Sequence, residues 1–176
     1  KNKRLLLGRP LVDYAIKAAI DSDVFGLIVV SSDDNDILEL AYSYFQTNMI
    51  QPHKRQSIIC RDNTPVKVAI RYVIQSYRMG EEICLLQPTN PLITPQQIGD
   101  AYKLFKEKNP DYLIGMCKGK DIGFHFFGKL SFLKDYEQLW DMTGLNWVSH
   151  EMKGIDIDTE KDWRRAEELL KGRNEG

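Results

Sequence analysis

Two aspartates separated by a single residue stand in Gly154-Ile155-Asp156-Ile157-Asp158-Thr159. Side chains alternate along an extended chain, so Asp156 and Asp158 would project to the same side. Two carboxylates side by side repel each other unless a cation sits between them. Mg²⁺ or Mn²⁺ accepts one or two carboxylates and completes its shell with water and phosphate oxygens. The pair is therefore a candidate metal site and a candidate catalytic centre for phosphate chemistry. The same stretch also reads as the start of a helix, capped by Asp158 or Thr159, with Asp162 completing a capping box. Both readings can hold together.

A second constellation is Gln87-Pro88-Thr89-Asn90-Pro91. Its prolines remove backbone freedom and amide donors. Gln87 and Asn90 each offer a donor and an acceptor, which suits a base or a sugar. An ordinary proline-rich turn has the same composition. A third group gathers Arg55, Arg61, Asp62, Asn63 and Thr64 ahead of a helix. Cations near a helix N-terminus make an anion site, although a solvated charged loop with a cap looks no different. His53, His125 and His150 lack ligand spacing, and His125 lies among apolar residues, where packing explains it. Neither a Ser/His/Asp order nor a glycine-rich phosphate loop is present in the sequence.

These residues need a scaffold. The chain has 176 residues, 43% apolar and 28% charged, enough for one domain with its own core. Net charge is −1, which gives no whole-protein attraction to nucleic acid or to an anionic membrane. The odd count of three cysteines, none in Cys-x-x-Cys spacing, argues against a disulfide framework or a zinc site and fits a reduced cytoplasmic setting. No apolar run approaches the roughly 18 residues of a membrane span. The opening Lys1-Asn2-Lys3-Arg4 precedes too short an apolar run for a signal peptide.

Strand and helix signals alternate. A helix is predicted after Gly8-Arg9-Pro10, with Pro10 in its first turn and Leu11, Tyr14, Ala15, Ala18 and Ala19 on one face. Gly26–Val30 reads as a buried strand. Ser31–Asp34 supplies caps for a helix whose stripe runs from Ile37 to Phe45. Asn63-Thr64-Pro65 opens another helix. Ile83–Leu86 and Tyr112–Met116 read as strands, Thr94-Pro95 caps a helix with Ile98, Ala101 and Phe105 inward, and a last helix from Thr159 buries Trp163, Ala166 and Leu170. This order implies an α/β fold, Rossmann-like, with a mainly parallel sheet and helices on both faces. Ligands in such folds bind beyond the strands' carboxyl ends. That directs attention to Ser31–Asp34, Gln87–Asn90, Lys118–Asp121 and the stretch around Asp156.

Taken together, the motifs resemble the CMP-sialic acid synthetase family of cytidylyltransferases, which includes pseudaminic and legionaminic acid branches. Lys1-Asn2 looks like the end of the family's nucleotide loop. Leu7-Gly8-Arg9-Pro10-Leu11, Val30-Ser31-Ser32-Asp33-Asp34 and Arg55–Pro65 resemble its next three motifs, the last divergently. Leu86-Gln87-Pro88-Thr89-Asn90-Pro91-Leu92 and Asp156-Ile157-Asp158-Thr159-Glu160-Lys161-Asp162-Trp163 match most closely. The resemblance spans nearly the whole chain and leans toward the pseudaminic branch. It implies a nucleotide-diphospho-sugar transferase fold that joins CMP from CTP to a nonulosonic acid and releases pyrophosphate. Lys1, Asn2 and Arg55 would bind the nucleotide. Gln87, with Thr89 and Asn90 beside it, would face the sugar acid. Asp156 and Asp158 would hold Mg²⁺ or Mn²⁺. The resemblance also implies a cytoplasmic homodimer.

Several features depart from that pattern. The family's opening strand and main nucleotide loop have no counterpart, and its longer excursion near 118–123 is shortened. Ile93 and Gln56 replace a common Arg and a common Pro. We expect a single domain over 1–176 lacking those pieces, as if the ordered parts of a longer protein had been joined. Without its first central strand, a doubly wound sheet would gap between neighbours. Synthesis of CMP-Kdo, or a degenerate nucleotide-binding module without turnover, are the alternative readings.

Overall fold

The structure is a computed structural model that describes residues 1–44, 49–56, 66–77, 82–128 and 147–174. Arg61, Asp62, Asn63, Thr64 and the stripe residue Phe45 lie outside the described residues.

The chain opens with a small antiparallel hairpin of β1 (Leu5–Leu6) and β2 (Arg9–Pro10). Leu7 (φ +47°) and Gly8 (φ +83°) close it in left-handed conformations, the geometry that matches strand twist in two-residue loops. α1 (Leu11–Asp21) follows directly. Pro10 sits one residue before the helix rather than in its first turn, because it pairs with Leu5 across the hairpin. Next come β3 (Ile28–Ser32), α2 (Asn35–Ser43) and β4 (Ile50–Lys54). The Asp34 side chain caps α2 by accepting from Asp36 N, as its position ahead of the apolar stripe predicts.

Then follow α3 (Val66–Ser76), β5 (Ile83–Leu86), α4 (Pro95–Lys108), β6 (Tyr112–Cys117), β7 (Lys120–Phe127), β8 (Trp147–Glu151) and α5 (Glu160–Asn174). Thr94 and Gln97 form a full capping box on α4, and Ile98, Ala101 and Phe105 are buried as their spacing requires. Trp163, Ala166 and Leu170 of α5 are buried in the same way, against Leu6, Leu11 and Leu92.

The α/β architecture is as expected, with α1 and α4 packed on one face of the sheet and α3 on the other. The main sheet runs β5-β7-β6-β8 and is mixed. β8 is parallel to β6, whereas β7 is antiparallel to both β5 and β6. The reason is local. Lys118 (φ +52°) and Gly119 (φ +76°) turn the chain in two residues, and a parallel return would need a crossover of a dozen or more.

β3 and β4 form a separate parallel pair. Among the described residues no strand joins that pair to the four-stranded sheet. α1 bridges the two: Val12 and Ile16 pack with Val30 and Ile50, while Ala18 packs with Ile98 and Phe126. Every residue of β5 remains partly exposed although helices cover both faces. An edge that no described strand pairs accounts for this.

β4 was not legible in the sequence because Pro52 interrupts it. Arg55 N donates to Ser32 O, so alternate residues 51, 53 and 55 face β3. Pro52 therefore turns its missing donor to the outer edge, where proline is tolerated.

Candidate functional site

Residues 1–4 run between the loop after β3 and the loop after β8, and the latter meets the loop after β5, so that these strand ends share one rim. Lys1 Nζ donates to Ile157 O at 2.6 Å and stands 3.5 Å from Asp158 Oδ1. Lys3 Nζ lies 2.8 Å from Asp36 Oδ2 and 3.0 Å from Asp34 Oδ2. Hydrogen bonds to Asp36 and then Asp34 raise the Lys3 pKa, and Lys3 in turn holds the Asp34 carboxyl below its usual range. Arg4 pairs with Glu160 and lies 4.0 Å over the Trp163 ring. The opening segment thus ties the β3 side of the rim to the loop after β8.

In that loop Ile157 is 1% exposed and its N–H donates to Thr89 O at 2.9 Å. With Ile157 turned inward, Asp156 and Asp158 both act on Lys1. Asp158 is exposed. Asp156 is half-buried, and its Oδ1 is a buried oxygen with no hydrogen-bond partner. Thr89 Oγ1 faces the carboxyl closely enough to favour its charge, yet completes no well-aligned hydrogen bond. Burial, reinforced by the Asp158 charge, pushes the Asp156 carboxyl above its usual range. Thr159 and Asp162 bond reciprocally at 2.8 and 3.2 Å, so the predicted capping box is present beside the pair.

A destabilised carboxylate with an orphaned oxygen, next to a second carboxylate, fits a divalent cation. Among the described residues no group of three or more His, Cys, Asp or Glu side chains gathers as a metal cage. The residues that would hold an ion are thus Asp156 and Asp158, and the rest of its shell must be water and substrate oxygens, as Mg²⁺ prefers.

The other candidate residues separate by role. Gln87 ends β5, its N–H donating to Gly123 O at 2.8 Å. Its side chain lies on Gly123, where a Cβ would come within 2.7 Å of Gln87 Cβ. Asn90 is 2% exposed, and its Oδ1 accepts from Ile155 N at 3.3 Å. It braces the aspartate loop. The Asn2 carbonyl accepts from Val12 N at 2.9 Å, anchoring the start of α1. Arg55 is not brought to the aspartate pair: its Nη2 stands 3.5 Å from Asp33 Oδ1 at the end of β4. The structure therefore unites Lys1, Thr89, Asp156 and Asp158, sets Gln87 and Asn90 beside them, and leaves Arg55 on the other sheet. Sequence reasoning missed Lys3 and gave no role to Asp121 or Gly123. Lys3 and Gly123 meet partners distant in sequence, Asp34, Asp36 and Gln87, whereas Asp121 meets its near neighbours Gly123 and His125 through a backbone irregularity that no local pattern announces.

Residues 1–146 match the family model described as cytidylyltransferase. The chain belongs to the cytidylyltransferase family. It is 29% identical over 118 residues to N-acylneuraminate cytidylyltransferase A of Danio rerio, a match covering 67% of this chain and 26% of that protein. It is 28% identical over 115 residues to pseudaminic acid cytidylyltransferase of Campylobacter jejuni, covering 65% of this chain and 50% of that one. The chain thus spans half or less of the length of these curated relatives. In fold it is similar to CMP:2-keto-3-deoxy-manno-octonic acid synthetase complexed with CTP, with a TM-score of 0.77 at 12% identity over 98% of this chain and 92% of that one. At that identity the likeness concerns the fold alone. No described helix of this cytidylyltransferase-family chain is long and apolar enough to cross a membrane.

Proposed function

We propose that this chain supplies the core of an enzyme that joins CMP from CTP to a nonulosonic, sialic-type acid. The sugar's anomeric hydroxyl oxygen forms a bond to the α-phosphorus, the bond from that phosphorus to the bridging oxygen breaks, and pyrophosphate departs with the electron pair. The hydroxyl proton leaves to solvent at the rim. The observation that carries the reading is the Asp156–Asp158 pair astride Lys1, with the unpartnered Asp156 Oδ1, at the strand ends. A divalent cation held there would neutralise charge at the α-phosphate.

The chain's own residues bind and align. Lys1 is fixed by Ile157 O at the edge of the carboxylates, positioned to meet a phosphate oxygen. Gln87, seated on Gly123, would offer its amide to the acid. Thr89 and Asn90 hold the aspartate loop from beneath. Arg55 would serve the nucleotide from the β4 side. The sugar class is supported by the two named relatives, both of which are named for sialic-type acids. CMP-Kdo synthesis rests on a likeness of fold only and is not favoured. A homodimer in the cytoplasm completes the reading, and light scattering that gives a monomer mass at micromolar concentration would remove the dimer from it.

The test is a coupled pyrophosphate assay with CTP, Mg²⁺ and a panel of nonulosonic acids. Release with one acid, and a loss of more than about a hundredfold in kcat for Asp158→Asn with folding retained, is expected if the pair anchors the cation. An Asp158→Asn variant running near the wild-type rate at saturating Mg²⁺ would refute the metal assignment. Absence of pyrophosphate with every acid would favour a nucleotide-binding module without turnover.

A further inference from the structure

β6 and β7 pair at Ile114↔His125 and again at Met116↔Asp121. Between those pairs β6 passes through Gly115 alone, whereas β7 passes through Ile122, Gly123 and Phe124. β7 therefore bulges, a device that re-aims side chains beside functional sites. Gly123, at φ +69°, provides the backbone conformation the bulge needs. Gly115 makes room for it, since a Cβ there would come within 2.9 Å of Phe124 Cδ1.

Both site loops rest on this bulge. Gly123 O accepts from Gln87 N, and its bare Cα faces the Gln87 side chain. Ile122, 2% exposed, fills the space under Gly154, where a Cβ would stand 2.7 Å from Ile122 Cδ1 and 3.0 Å from Asn90 Nδ2. The bulge thus lies between the Gln87–Asn90 loop and the start of the aspartate loop.

Three polar side chains pin it. His125 is fully buried, and its Nδ1 shares a short hydrogen bond with the Tyr112 hydroxyl. Burial keeps the Tyr112 phenol protonated and the His125 ring neutral. Tyr112 therefore donates to Nδ1, which leaves the ring proton on Nε2, 3.3 Å from Asp121 Oδ1. The same Oδ1 accepts from Gly123 N at 2.8 Å. On a straight strand, residues four apart would be separated by about 13 Å. Here the bulge folds Asp121 back onto His125.

We propose that Asp121 and His125 are positioning residues that, anchored by Tyr112, lock the β7 bulge as a spacer setting the distance between Gln87 and the Asp156–Asp158 pair. The roles of those three residues rest on the functional reading above, but the spacer does not. Asp121 also presses its charge on Asp156, so the test must separate geometry from charge. Asp121→Asn keeps an oxygen to accept from Gly123 N and a polar group beside His125 Nε2, which stands 3.3 Å from Asp121 without a well-aligned hydrogen bond, whereas Asp121→Ala keeps neither.

The experiment compares Asp121→Ala, Asp121→Asn and His125→Phe with wild type by amide hydrogen exchange and by steady-state kinetics. In Asp121→Ala and His125→Phe, the amides of Gln87, Ile155 and Ile157 should exchange at least about tenfold faster, while those of β3 stay within about twofold. KM for the acid should rise about tenfold or more, and KM for CTP should stay within about threefold. Asp121→Asn should remain near wild type in both. If His125→Phe does not fold, the Asp121 pair decides alone. Faster exchange spread evenly over both sheets, or Asp121→Asn as damaging as Asp121→Ala, overturns the proposal. A wild-type protein that releases no pyrophosphate sinks only the functional reading, because the exchange series still tests the spacer.

Discussion

β3 and β4 form a two-stranded parallel pair joined to the rest of the described chain through α1 and α3, whereas β5, β7, β6 and β8 form a sheet with helices on both faces. The larger sheet is rich in aromatic contact: Phe126 stacks on Phe105 with ring centroids 5.4 Å apart and meets Phe124 edge-on at 5.3 Å. The smaller unit has an aliphatic core of Val30, Ile37 and Ile50, and a polar seam in which His53 lies 3.0 Å from Ser31 Oγ and 3.3 Å from Ser76 Oγ. A two-stranded unit is not stable alone. The aspartate pair and Gln87 stand on the larger sheet, and Arg55 on the smaller one. The proposed chemistry asks for a fixed distance where the metal and the acid would meet, and the loops that carry both sets of residues follow strands of the larger sheet.

That contrast can be broken by mutation. Phe126→Ala should cost about 3–5 kcal/mol, read from the denaturant midpoint, whereas Ile50→Val should cost only about 0.5–1.5 kcal/mol. Equal losses would erase the distinction between the two units. Gly123→Ala combines a strained φ with a Cβ against Gln87, and should cost about 1–3 kcal/mol. A neutral outcome would show that the rim next to the larger sheet is looser than its contacts imply.

Smaller effects sharpen the comparison. Burial raises the Asp156 carboxyl pKa, so the folded state disfavours its charge. Stability is then lost as pH climbs from the ordinary carboxylate value through the raised one. Asp156→Asn removes that cost, and without metal its Tm at neutral pH should rise by about 1–2 °C. Added Mg²⁺ should raise the wild-type Tm but leave the variant unmoved, and a variant less stable than wild type would contradict this account. On the smaller unit, burial and then the Arg55 charge lower the His53 pKa. The unfolded chain therefore takes up the proton first, so stability declines as pH falls below about 6.5 and levels once the lowered folded value is passed. His53→Gln should reduce that acid-side loss by roughly 1–3 °C of Tm between pH 7 and 5. His125 carries the same sign on the larger sheet and leaves a residual loss in the variant.

Much of this architecture could be read from short patterns. Ile83–Leu86 is an unbroken apolar run and is β5, residue for residue. Thr94-Pro95 with Gln97 writes a capping box, and one forms. Asp156 and Asp158, with Thr159 and Asp162, announce both a carboxylate pair and a helix start, and both are present. β4 was hidden because Pro52 breaks its pattern, although its position on an edge makes the proline harmless. β8 was hidden because Trp147-Val148-Ser149-His150-Glu151 is too polar to read as a core strand.

The sequence alone determined the elements whose physics is local: helix faces, caps, apolar strands, and the alternation that turns Asp156 and Asp158 to one side. Tertiary structure decided what depends on residues far apart in the chain. It buried Asn90 under Ile155, seated Gln87 on Gly123, brought Lys1 to Asp158, and left β3 and β5 without a common partner among the described strands. Propensity and periodicity act over a few neighbours, but a close approach between distant segments is set by the packing of the whole core.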